Sequence, residues 1–197
     1  KSWAAGDASS KALKQVFISE VSDEKYPTAI SAKDWGFNDV LMGNNPLTLE
    51  RDLSSYVMDN VLYKVSFPAE FHAQTAAEAA LKLHTKIADK LEQIDEVMIE
   101  TQEPGMRIIS KKGPLTNYAD RDHCIEYIVA WCLLNGVLDS DSYSDNAASD
   151  TRIDALREKT ITQENQKYTE IYYDLNKRAI PNKVIVRLNS GEEFKEE

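Results

Sequence analysis

Apolar residues recur along this chain with two periods, and the changes from one to the other predict its elements. Over residues 4–20, Ala12, Val16 and Phe17, with Leu13 and Ile18 beside them, fall at helical spacing and stop before the turn-rich SDEKYP, which predicts a first helix. Residues 27–35 predict a short second helix ended by Gly36, and Gly43, Asn44, Asn45 and Pro46 predict a loop. Residues 61–66 alternate loosely between aromatic or β-branched and other positions ahead of Pro68, so they predict an extended segment. Across residues 75–90 one face is lined by Ala76, Ala79, Ala80, Leu83 and Ile87 and continues to Leu91. Glu78 and Lys82 are spaced to pair on the opposite face of this amphipathic helix.

Period two takes over in DEVMIETQ, where Val97 and Ile99 alternate with Glu96, Met98 and Glu100. This predicts a half-buried strand ended by Pro104 and Gly105. CIEYIVAWCLLNG is apolar nearly all round, with Asp120 and Asp122 ahead of it and Gly136 behind, the end signals of a buried helix. DSDSYSDNAASD predicts a short surface helix and loop, and TRIDALREK predicts one or two helical turns capped by its threonine. TITQE and KVIVRLN predict strands, the second turning through NSGEE as in a hairpin. The fold class is α+β. The sequence has no internal repeat, Gly-rich phosphate loop, CxxC, HExxH or calcium-loop pattern.

Composition narrows the picture. The 197 residues, 42% of them hydrophobic, suffice for the core of one domain or two small ones. Against 33 acidic residues stand 23 Lys and Arg, a net charge of −10 that argues against nucleic acid or an anionic membrane as the main partner. An anionic ligand would need cations placed locally. No apolar stretch approaches a membrane span, and the N-terminus lacks the layout of a secretory signal. Cys124 and Cys132, about two turns apart if helical, are too distant to bond and read as reduced core residues of an intracellular protein. The chain starts at Lys1 rather than Met and stops just beyond a strand, which reads as part of a longer polypeptide.

The candidate chemistry gathers in YKVSFPAEFHAQTAAEAA, residues 63–80. His72 sits at a helix mouth, where free N–H groups and the helix dipole favour an anion. A histidine there is commonly only a cap, yet Glu70, His72 and Gln74 together exceed what capping needs. Lys64 is ordinarily a surface lysine with an apolar stem; flanked by Val65 and Phe67 it can be buried, and then it requires an anion. His84, in LKLHTK, reads as a surface histidine. His123 and Tyr127, four apart on the most apolar helix, share a face. They are either a capping histidine and a core tyrosine, or a proton-transfer pair facing a cleft. Trp3, Trp35 and Trp131 read as packing residues, and SDSYSDNAASD and EEFKEE as solvated surface.

KSWAAGDASSKA, YKVSFPAEFHAQTAAEAA, KKGPLTNYADRDHCIEY and DNAASDTRIDALREK, in that order, resemble the MmgE/PrpD family, and FPAEFHAQTA resembles its 2-methylcitrate branch. The similarity runs from residue 1 to about residue 187. It implies a hydro-lyase that removes water from 2-methylcitrate to give 2-methyl-cis-aconitate in the methylcitrate cycle of propionate catabolism. The family is known for working with no iron–sulfur cluster, and no cofactor is expected; two cysteines fall short of a cluster's usual ligands. The implied architecture is a large helical domain and a smaller, lid-like α+β domain that covers the site. Residues 1–20 would be one helix of the larger domain and residues 21–197 the smaller. The partners implied are the tricarboxylate substrate, a missing N-terminal helical domain of the same chain that completes the site, and a second copy in a homodimer. This chain alone would be inactive.

By motif, Lys1 of KSWAAGDA, Lys64 ahead of FPA, and His123 with Tyr127 match site residues or their neighbours in a related cis-aconitate decarboxylase. Gln74 stands where that relative has a histidine, and His72 has no counterpart there. The resemblance therefore suggests Lys64, His123 and Tyr127 as catalytic and Lys1, His72 and Gln74 as substrate-binding, with no metal. A trianion leaving water needs converging cations and N–H donors, and dehydration needs a base and an acid. The alternatives are decarboxylation of cis-aconitate and a noncatalytic lid or dimerisation module. A fungal source, towards which the substitutions lean, implies the mitochondrial matrix; a bacterial one implies the cytoplasm.

Overall fold

The computed structural model describes residues 3–22, 27–49, 52, 66–177 and 179–197, and its chain divides into two compact units, Lys1–Val61 and Leu62–Glu197. In the first, helix α1 spans Ala4–Val21 as its periodicity predicts, and none of its side chains is buried. Residues 27–31 and 33–35 form turns rather than the expected helix. The short helix comes later, as α2, Phe37–Leu41, and Gly36 opens it with an extended backbone instead of closing its predecessor. A Cβ on Gly36 would lie 2.6 Å from the Ala32 backbone, so the turn closes only around glycine. Trp3 and Trp35 are 74% and 87% exposed, which corrects their reading as packing residues; Trp131 is half-buried.

In the second unit a 3₁₀ turn, Phe71–Ala73, leads into α3, Gln74–Ile87. Strand β1, Ile94–Thr101, follows, then α4, Glu103–Ile109, and α5, Tyr118–Asp122. Helix α6 is Ile125–Asn135, and α7, Asp145–Ala148, and α8, Thr151–Glu158, lead to β2, Thr160–Glu164. Helix α9, Gln166–Tyr173, precedes the hairpin of β3, Lys183–Leu188, and β4, Glu193–Glu196. The sheet order is β2-β1-β3-β4, with β1 parallel to β2 and antiparallel to β3, and β3 antiparallel to β4.

The α+β expectation holds, and alternation explains the layering. Val97 and Ile99 of β1 and Val184, Val186 and Leu188 of β3 are buried in one core with Ala76, Ala80, Leu83 and Ile87 of α3 and Ile128, Val129 and Leu133 of α6. The alternate positions carry charge: Arg187 bonds both Glu96 and Glu193, and Lys183 faces Glu100 at 3.7 Å. Alanines on α3 allow α6 to pack closely against it. At the end of α6, Gly136 takes the left-handed conformation (φ 67°) predicted for a C-cap. His84 is not the surface group expected: its Nδ1 lies 2.8 Å from the Leu133 carbonyl, tying α3 to the last turn of α6.

Other expectations change at the ends of elements. β1 ends at Thr101, just ahead of Pro104 and Gly105 as expected, and these two lie in the first turn of α4, where the missing proline N–H matters least and the Gln102 side chain accepts from Gly105 N. The apolar helix does not begin at the acidic residues, because Cys124 is extended (φ −128°, ψ 108°) and separates α5 from α6. His123 therefore caps α5, and it and Tyr127 do not share a helix face. Ser142 and Tyr143, read as surface, are buried, and Asp150 rather than Thr151 caps α8. EEFKEE supplies the edge strand β4, whose Phe194 packs on the core under Lys90. TITQE and KVIVRLN are strands as expected, α9 had no counterpart in the periodic reading, and the extended segment expected at residues 61–66 lies, but for Ser66, outside the described residues. Among the described residues no helix is long and apolar enough to cross a membrane.

Candidate functional site

The FPAE turn is folded by side chains of the helix that follows it. Gln74 Nε2 donates to the Phe67 and Ala69 carbonyls at 3.0 and 2.8 Å, fastening the turn to the first residues of α3. Glu70 caps the 3₁₀ turn, accepting from the His72 backbone N–H at 2.7 Å. The same carboxylate lies 3.0 Å from His72 Nδ1 through both oxygens. Burial alone would raise the Glu70 carboxyl, but hydrogen bonds and charge from His72, with a smaller pull from His123, hold it below the ordinary carboxylate range. A carboxylate at Nδ1 fixes the ring proton there, which leaves Nε2 facing the Tyr172 hydroxyl at 3.2 Å. Asn182 holds the His72 carbonyl from behind at 2.8 Å.

A second pair lies alongside. His123 Nδ1 is 2.6 Å from Asp122 Oδ1, and the Asp122 carbonyl accepts from Glu70 N at 3.2 Å, so the end of α5 is tied directly to the FPAE turn. The His72 side chain is only 9% exposed, whereas that of His123 is 35% exposed. The result is a buried and an accessible carboxylate–histidine pair joined through one peptide hydrogen bond. In such a pair the imidazole can accept and return a proton while the carboxylate orients the ring and stabilises the charge that forms. Among the described residues no group of three or more His, Cys, Asp or Glu could hold a metal ion.

Of the residues predicted from sequence, the structure thus brings His72, Gln74 and His123 together. Tyr127 has a different neighbourhood: its hydroxyl donates to the Ser142 carbonyl at 2.8 Å, its ring stacks 6.0 Å from Tyr143, and burial pushes it up to about 12. Lys1 and Lys64 lie outside the described residues. Asp122 and Tyr172 were missed. Asp122 carried a signal, an acid directly preceding a histidine; Tyr172 carried none, standing 100 residues from the histidine it meets.

Residues 67–197 match the MmgE/PrpD C-terminal domain. The chain belongs to the MmgE/PrpD family. The matched region opens at Phe67 of the FPAE turn and takes in both carboxylate–histidine pairs and Tyr172, so the whole cluster lies in the family's C-terminal domain. The chain is 50% identical over 194 residues to "2-methylcitrate dehydratase, mitochondrial" of Yarrowia lipolytica, covering 97% of this chain and 37% of that protein. It is 48% identical over 199 residues to 2-methylcitrate dehydratase of Salmonella typhimurium, covering 100% of this chain and 41% of that protein. With the "Probable 2-methylcitrate dehydratase" of Saccharomyces cerevisiae the identity is 45% over 202 residues, covering 39% of that protein. This MmgE/PrpD chain therefore spans about two fifths of the length of these relatives.

Proposed function

We propose that this chain forms part of a hydro-lyase that removes water from 2-methylcitrate to give 2-methyl-cis-aconitate. The observation that carries the reading is the joined pair of carboxylate–histidine dyads inside a chain that is 48% and 50% identical to proteins named for this substrate and reaction. Dehydration beside a carboxylate requires one group to take a carbon-bound proton and another to protonate the departing hydroxide, and two dyads supply two such groups. His123, backed by Asp122, is the accessible one. His72, backed by Glu70, is the buried one. Gln74 serves by holding the turn that carries Glu70, and Tyr127 by holding the Ser142 carbonyl. Lys1 and Lys64 are assigned to the substrate carboxylates, whose charge must be met when the trianion leaves water.

The remainder of the site is assigned to an N-terminal helical domain of the same polypeptide, to which residues 1–20 belong as one helix, with the whole acting as a homodimer. The chemistry is proposed as proton transfer without an iron–sulfur cluster; both cysteines of this chain are buried, and burial pushes both thiols up, away from the thiolate a cluster would need. The mitochondrial matrix suits a fungal source and the cytoplasm a bacterial one.

The test is to mix the full-length protein with 2-methylcitrate, without added iron, and follow the absorbance of the unsaturated product. The expected result is a rise that His123→Ala abolishes in a folded variant. Release of carbon dioxide from cis-aconitate, with no reaction of 2-methylcitrate, would overturn the reading.

A further inference from the structure

Tyr172 sits on α9, whose start is capped by Asn165 and which buries Tyr168 on the face that Tyr172 continues one turn later. The tandem Tyr173 is a different group: 57% exposed, it donates its hydroxyl to Glu103 at 2.9 Å. The Tyr172 hydroxyl instead meets His72 Nε2 at 3.2 Å, with the two rings 5.6 Å apart. Glu70 occupies Nδ1, so Nε2 carries the lone pair and the phenol is the donor. This order decides which group ends the series. His72 is 7% exposed with both ring nitrogens engaged, so the imidazole has no free edge for a ligand. Half-buried Tyr172 is the outer member of the series, one hydrogen bond beyond the ring. Among the described residues the titratable groups around it are Glu70, His72 and Tyr173, with His123 acting on Glu70.

We propose that Tyr172 is the proton-transfer group of the buried dyad, and that Glu70 and His72 act through it as positioning residues; this rests on the dehydratase reading above. In the forward step the phenol proton passes to His72 Nε2, giving a phenolate and an imidazolium held against Glu70. The phenolate removes the proton from the carbon beside a substrate carboxylate. The C–H electron pair becomes the new carbon–carbon π bond as the C–O bond breaks, and the hydroxide leaves with a proton from His123. Tyr172 is a phenol again; it passes that proton to water and takes back the one on His72 Nε2, while His123 regains a proton, so protons balance over the cycle. This is the logic of a hydroxyl activated by a carboxylate-backed histidine, with a phenol in the hydroxyl's place.

The test uses the full-length enzyme. Tyr172→Phe is expected to lower kcat on 2-methylcitrate by about 100-fold or more, the range for losing a proton-transfer group, with KM changed far less. A kcat within about threefold of wild type would overturn the proposal. Should Tyr172→Phe not fold, 3-fluorotyrosine at the same position keeps the shape while making the phenol more acidic. The limb of the kcat/KM profile that reports the phenol then moves to lower pH, and an unmoved profile overturns the assignment. If the wild-type enzyme does not turn over 2-methylcitrate at all, the dehydratase reading has failed by itself. The hydrogen-bonded series is then read from the ¹⁵N spectrum of His72, where Tyr172→Phe is expected to shift Nε2 and leave Nδ1 in place; an unshifted Nε2 overturns it.

Discussion

Glu70 does two things that a cap alone would not: it satisfies the N–H of the 3₁₀ turn and it charges one side of the His72 ring. Because its carboxyl is held below the ordinary range, its contribution to stability is complete above an unfolded value of about 4.3 and is lost as pH falls through the lower folded value. Denaturation midpoints measured from pH 6 down to pH 3 should therefore fall less steeply for Glu70→Gln than for the wild type. Asp122 plays the matching part for His123, so Asp122→Asn in the full-length enzyme should lower kcat by about 10²-fold or more while leaving the melting temperature nearly unchanged. An unaltered kcat would remove the accessible dyad from the mechanism. His72 and His123 were legible as candidates because residue type and a helix mouth are written in sequence. Their partners were less so, since pairing depends on where α5 ends and where α9 returns.

At the scale of elements, the periodic segments form as predicted and the surprises fall at their ends. The α3 and β1 patterns survive because a buried face imposes its period directly. The start of α6 does not follow from hydrophobicity: Cys124 turns out of the helix, a change that moves His123 off the Tyr127 face and onto the FPAE turn. The junction of α6 with α3 gives a sharp test. A Cβ on Gly136 would both require an unfavourable backbone at φ 67° and meet the His84 ring at 2.5 Å. Gly136→Ala should destabilise the fold by about 2–3 kcal/mol, combining the left-handed penalty with the loss of the hydrogen bond to Leu133. His84→Ala, which vacates the space, should make the same glycine substitution milder in a double-mutant cycle.

For the molecule as a whole, every member of the hydrophobic core cluster among the described residues lies in the second unit, between Phe67 and Phe194. A chain beginning at Leu62 should therefore unfold cooperatively with a midpoint within a few degrees of that of residues 1–197; loss of the transition would show that the first unit supports the core. Neither chain is expected to turn over 2-methylcitrate, a result checked with the absorbance assay, because each spans at most about two fifths of the relatives' length. Sequence by itself determined the α+β class, the two long amphipathic elements, the strands TITQE and KVIVRLN, and the family. Each of these depends on local periodicity or on runs of residues that can be matched in order. Only the tertiary structure decided that Glu70, His72 and Tyr172 form one hydrogen-bonded series beside Asp122 and His123. Such contacts depend on the break at Cys124 and on a return of the chain 100 residues later, and neither leaves a period in the sequence.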